Sequence, residues 1–63
     1  MKLYELIENV EMQSEYKTVY YDYVKEERFQ VNTDDYADRD VLYIYVDDDI
    51  IYIEIDNEEE IAQ

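Results

Sequence analysis

Carboxylates and phenols dominate the polar chemistry of this 63-residue chain, which has 19 Asp and Glu, nine Tyr, and neither His nor Cys. Paired carboxylates can run acid–base or glycosidic chemistry, but only in a cleft that drives their pKa values apart. A chain of this length offers little room for one. Hydroxyl nucleophiles need a neighbouring base, and Ser14, Thr18, Thr33 and the tyrosines have no imidazole or thiolate to activate them. Clustered carboxylates hold calcium only at set spacings. Counted from Asp34, the positions that an EF-hand loop gives to an acid, a glycine and a glutamate fall on Tyr36, Arg39 and Tyr45. The sequence therefore predicts no enzyme, no metal site and no cofactor.

What remains is recognition. The strongest local signal is VLYIYV at 41–46, then DDD, then IIYIEID at 50–56, which reads as a β-hairpin. Pairing Val46 with Ile50 would mix aliphatic and aromatic side chains on both faces and set Glu54 among aliphatics. Pairing Val46 with Ile51 gathers Leu42, Ile44, Val46, Ile51, Ile53 and Ile55 on one purely aliphatic face. The other face then carries Val41, Tyr43, Tyr45, Asp47, Ile50, Tyr52, Glu54 and Asp56. A slip of one residue would exchange the faces, so the second register is expected. A two-residue tip ordinarily asks for glycine; the expectation is a four-residue tip from Asp47 to Ile50.

The outer hairpin face thus sets Tyr43, Tyr45 and Tyr52 beside Asp47, Glu54 and Asp56. Tyrosine provides contact area at low entropic cost, and carboxylates around it complement Arg and Lys. Together with Asp34, Asp35, Asp38, Asp40, Asp48 and Asp49, these residues form the predicted partner-binding set. The plainer reading is a solvated strand face whose tyrosines serve β propensity.

Other elements must position that face. Leu3, Leu6, Ile7 and Val10 make the stripe of a short amphipathic helix. Residues 17–24 read as a strand, with Val19, Tyr21 and Tyr23 expected inward so that Asp22 faces water. Lys25 to Arg28 reads as a charged turn, and Phe29 and Val31 suit a short second strand. Residues 33–40 form a polar loop with room for one helical turn, and the acidic tail 57–63 is expected to fray. Gly and Pro are both absent, so turns must rest on Asn and Asp. The expected fold is α+β: one domain over 1–63, with an N-terminal helix packed on a 3–4-stranded antiparallel sheet that ends in the hairpin.

Five bases leave a net charge of −14, unevenly spread. Residues 1–31 hold seven acids and four bases, whereas residues 32–63 hold twelve acids and only Arg39. Averaged over a surface of roughly 4,400 Å², this is about one net charge per 310 Å². B-DNA, as a cylinder of roughly 10 Å radius, carries about one per 110 Å². Direct binding to nucleic acid or to an anionic membrane is excluded by this sign. Hydrophobic residues at 48% are too many for a disordered acidic tail. No apolar run is long enough to span a bilayer, and the first residues lack the cleavage site of a signal peptide. The absence of Cys fits a cytosolic protein, and the expected compartment is the cytoplasm.

Solubility asks for a net charge of only about 2–8 in a small domain, and a larger one strains the compact state. The excess makes sense if it meets a basic surface, and nucleic-acid-binding grooves are the commonest of these. The stretch DRDVLYIYVDDDIIYIEID at 38–56, after the helix KLYELIENV at 2–10, resembles small acidic proteins encoded by phages of Gram-positive bacteria, of the DNA-mimicking anti-restriction and anti-CRISPR kind. The resemblance implies a non-enzymatic inhibitor that binds the basic groove of a host nuclease or other nucleic-acid-binding protein. The alternative is a structural, assembly or regulatory module acting as a homodimer, with the tyrosine face as its interface.

Overall fold

The computed structural model describes residues 1–56; the expectation for the tail lies outside the described residues. In chain order it contains α1 (Leu3–Asn9), β1 (Tyr16–Asp22), β2 (Glu27–Val31), a 3-10 turn (Thr33–Tyr36), β3 (Val41–Asp47) and β4 (Ile50–Ile55). The α+β class and the helix-on-sheet arrangement expected from the sequence are both present.

The sheet has the order β2-β1-β4-β3. Each outer pair is an antiparallel hairpin, but the central pair, β1 with β4, is parallel. The sheet is thus mixed, where the sequence suggested an all-antiparallel one. The reason is the connection. Residues 32–40 carry the chain across the helix side from one sheet edge to the other, so both hairpins enter the sheet in the same sense.

The core lies between α1 and one sheet face. Leu3 and Leu6 of α1 meet Ile53 and Ile55 of β4, and Ile7, Tyr16, Tyr20, Tyr36, Val41 and Ile51 pack around them. Seven residues make a helix too short to persist alone. Its N-terminal donors are satisfied by the crossing segment: Leu3 N–H donates to the Arg39 carbonyl at 2.9 Å and Tyr4 N–H to that of Ala37 at 3.0 Å. The Lys2 N–H donates to Glu5 Oε1 at 2.9 Å, which also sets an acid in the first turn, where the helix dipole favours one. The polar stretch 33–40 therefore anchors the helix as well as linking the hairpins. Within it the Asn32 side chain accepts from Asp34 N–H at 2.9 Å, capping the 3-10 turn.

Strand β1 corrects the sequence reading. Its helix-facing side carries Tyr16, Thr18 and Tyr20, which pair with Ile51, Ile53 and Ile55. Val19 and Tyr21 face the other way. Asp22 is not turned to water; it is buried, and its Oδ1 accepts from the N–H groups of Val24 and Lys25 at 2.9 and 3.1 Å. That Asx-type turn ends β1 two residues earlier than expected. Thr18, also buried, shares a 2.8 Å hydrogen bond with the Thr33 hydroxyl.

The hairpin register is the expected one, with Val46 opposite Ile51, Ile44 opposite Ile53 and Tyr45 opposite Tyr52. Two details differ. A bulge between Val41 and Tyr43 turns Val41 toward the core and leaves Leu42 half-exposed. The tip is Asp48-Asp49 alone, not four residues, with φ of 50° and 64°. Two left-handed residues make the turn whose twist matches the strands, and aspartate tolerates that backbone better than most residues.

Candidate functional site

The sheet face away from α1 carries no other element among the described residues, and it is rich in tyrosine. From the pairing registers it presents Tyr21 of β1, Arg28 of β2, Tyr52 and Glu54 of β4, and Tyr43, Tyr45 and Asp47 of β3. Tyr45 and Tyr52 stack with ring centroids 5.5 Å apart and planes 19° from parallel.

The centre of this face is already occupied by a cation of the same chain. Arg28 Nε donates to Glu54 Oε1 at 2.7 Å. Its guanidinium lies 5.2 Å from the ring centre of Tyr21 and 6.0 Å from that of Tyr45. Glu54 is only 5% exposed. Arg28 is held more firmly in its charged form, first by the hydrogen bond to Glu54 and then by that residue's charge. Burial raises the pKa of Tyr45, and Arg28 partly opposes the shift. A pairing that the sequence suggested for a partner's arginine is thus made within the chain. Glu54 already has a cation on Oε1, and the ring of Tyr45 already shares the same one.

The remaining acids divide into two groups. Asp47, Asp48 and Asp49 are exposed at the hairpin tip, and among the described residues none of them makes an ion pair. Asp34, Asp35 and Asp38 are exposed on the crossing segment. Asp40 is bound to Lys2 at 3.3 Å, and its carbonyl accepts from Asp56 N–H at 3.0 Å. Asp40 and Asp47 bracket β3, about 24 Å apart at the rise of a strand. The structure therefore brings Tyr43, Tyr45, Asp47, Tyr52 and Glu54 together, places Asp48 and Asp49 at their margin, and sets Asp34, Asp35, Asp38, Asp40 and Asp56 elsewhere.

Sequence reasoning passed over Arg28 and Tyr21. Their signal was present: Arg28 alternates with Phe29 and Val31, so in a strand it projects onto the face opposite to theirs. It could not be used without knowing that β2 lies beside β1.

A cleft of about 270 Å³ between α1 and residues 33–37 has Glu8 and Asp34 as its only charged lining. Thr33 and Tyr4 supply its hydroxyls, with no imidazole or thiol beside them. Among the described residues no three His, Cys, Asp or Glu side chains gather as metal ligands. No helix there is long and apolar enough to cross a membrane.

Comparison with known proteins adds no relative. The chain matches no family model, no curated protein and no solved structure.

Proposed function

We propose that the protein is a non-enzymatic acidic inhibitor that binds a basic nucleic-acid-binding surface of a host protein, in the manner of an anti-CRISPR or other phage anti-defence protein. One observation carries the reading. Asp47, Asp48 and Asp49 stand exposed at the end of a braced hairpin, without an ion pair among the described residues. The like charges repel one another there, and the strained turn adds to the cost. A basic groove would repay both by replacing water and counterions with Arg and Lys.

The neighbouring Tyr43, 63% exposed, supplies contact area beside the tip, while Glu54 and Tyr45 keep the hairpin rigid through Arg28. On this reading the tip makes contact and the face behind it supports the tip.

The test is capture from a bacterial host lysate at low salt, with and without nuclease treatment, followed by direct titration of the captured protein. One basic nucleic-acid-binding protein should be retained, nucleic acid should compete, and affinity should fall steeply as salt rises. Replacing Asp47, Asp48 and Asp49 together by Asn should weaken binding at least about tenfold, since charge-assisted contacts contribute roughly 1.5–3 kcal/mol each. Salt-independent binding, or a complex that leaves nucleic acid bound and undisturbed, would refute the proposal.

A further inference from the structure

The cleft between α1 and residues 33–37 lies apart from the hairpin tip. Its floor is apolar, built from Leu3 and Ile7 of α1 and Ala37 of the crossing segment. Each wall adds one carboxylate, Glu8 from the helix and Asp34 from the 3-10 turn, and Tyr4 stands with them. The Thr33 hydroxyl is already engaged with that of Thr18 at 2.8 Å. Among the described residues neither Glu8 nor Asp34 is in an ion pair, and the Tyr4 ring meets no other ring or cation.

The same kinds of group occur together on the opposite sheet face, and there they hold an arginine. Arg28 donates to Glu54 at 2.7 Å, with its guanidinium 5.2 Å from the ring centre of Tyr21. The cleft has the carboxylates and the tyrosine but no cation of its own. The chain's five bases are all engaged elsewhere. Lys2 is paired with Asp40, Lys17 with Glu15 and Arg28 with Glu54, while Lys25 lies over Phe29 and Arg39 over Tyr36. None of them lines the cleft. A cation for it must come from another molecule.

We propose that this cleft receives one arginine side chain of a partner protein, with the aliphatic stem over Leu3, Ile7 and Ala37 and the guanidinium among Glu8, Asp34 and the Tyr4 ring. Long cationic side chains lay their stems on apolar surface and keep their charged heads at its wet margin. Size agrees with a single side chain. Sites for drug-sized ligands span about 300–1,000 Å³, and this cleft has about 270 Å³. An apolar occupant would cover two carboxylates without a counter-charge, and an anionic one would be repelled. Lysine supplies the charge, but only a planar guanidinium offers a fork to two carboxylates and a face to a ring. The contact is additional to the acidic tip and does not depend on it. Thr33 ties the cleft to β1, whereas the tip closes β3 on β4.

The test titrates the isotope-labelled full chain with N-acetyl-arginine amide at low salt, followed by NMR amide shifts. A single side chain should bind with a dissociation constant on the order of 1 mM. Saturable shifts should fall on residues 3–8 and 33–37. The citrulline analogue, which has the same shape without the charge, should bind at least about tenfold more weakly. The lysine analogue should bind several-fold more weakly. Glu8→Gln with Asp34→Asn should abolish the cleft shifts with an unchanged circular dichroism spectrum, since both side chains are exposed. Ala37→Leu keeps both carboxylates but fills the floor, and should abolish them too.

Replacing Asp47, Asp48 and Asp49 by Asn should leave the arginine titration unchanged, so this inference and the tip reading fail separately. Four outcomes overturn the proposal: shifts spread over the tip acids as strongly as over the cleft, equal binding of the citrulline or the lysine analogue, cleft shifts that survive both cleft variants, or cleft shifts that vanish in the tip variant.

Discussion

At the residue scale the decisive contact is Arg28 with Glu54. A carboxylate with 5% exposure in the middle of a sheet face needs a partner, because an unpaired buried charge is costly. Arg28 provides one hydrogen bond and two aromatic contacts at once. Arg28→Ala should lower the melting temperature, because it leaves Glu54 uncompensated. Adding Glu54→Leu to that variant should recover most of the loss, because an apolar pair replaces the stranded charge. Thermal melts of the two variants check the order; equal melting temperatures would show that Glu54 finds another partner.

At the scale of elements the hairpin tip is the strained part. Asp48 and Asp49 hold left-handed backbone with no glycine, which costs an ordinary residue roughly 1–2 kcal/mol. Asp48→Asn with Asp49→Gly gives the pair this turn prefers. It should stabilise the fold by about 1 kcal/mol, read as a higher urea midpoint at unchanged slope. If the acidic tip binds a basic groove, the same variant should bind more weakly. A turn that is kept acidic at a cost in stability fits a role in recognition. The β1–β2 turn has a single left-handed residue, Glu26, and is stabilised by Asp22 beneath it.

At the scale of the whole molecule the charge of −14 acts against compactness. Three described ion pairs offset little of it, and two of them are solvent-exposed pairs of the kind worth about 0–1 kcal/mol. The core is one helix on part of one sheet face, with Leu3, Leu6, Ile53 and Ile55 at its centre. Stability should therefore rise with added sodium chloride, as screening relieves repulsion among the acids. A melting temperature that falls from low salt to moderate salt would show that attractive pairs outweigh repulsion.

Local periodicity sufficed for much of this molecule. The stripe Leu3, Leu6, Ile7 defines the helix, and Ile51, Ile53 and Ile55 define both the inward face of β4 and its register with β3. Such patterns are legible because one residue's displacement would carry every apolar side chain to the wrong face. The acidity of the C-terminal half, and the absence of His and Cys, are likewise properties of composition. Strand order, the parallel central pair and the inward face of β1 are not. Val19, Tyr21 and Tyr23 alternate as well as Tyr16, Thr18 and Tyr20 do, and only packing against Ile53 and Ile55 decides between them. The predicted recognition face met the same limit. Its tyrosines and Glu54 do share a surface, as periodicity implied, but β2 lies two strands away from β4 and delivers Arg28 onto it. Which groups a face presents follows from spacing along one strand; whether those groups are still free depends on neighbours that are distant in the chain.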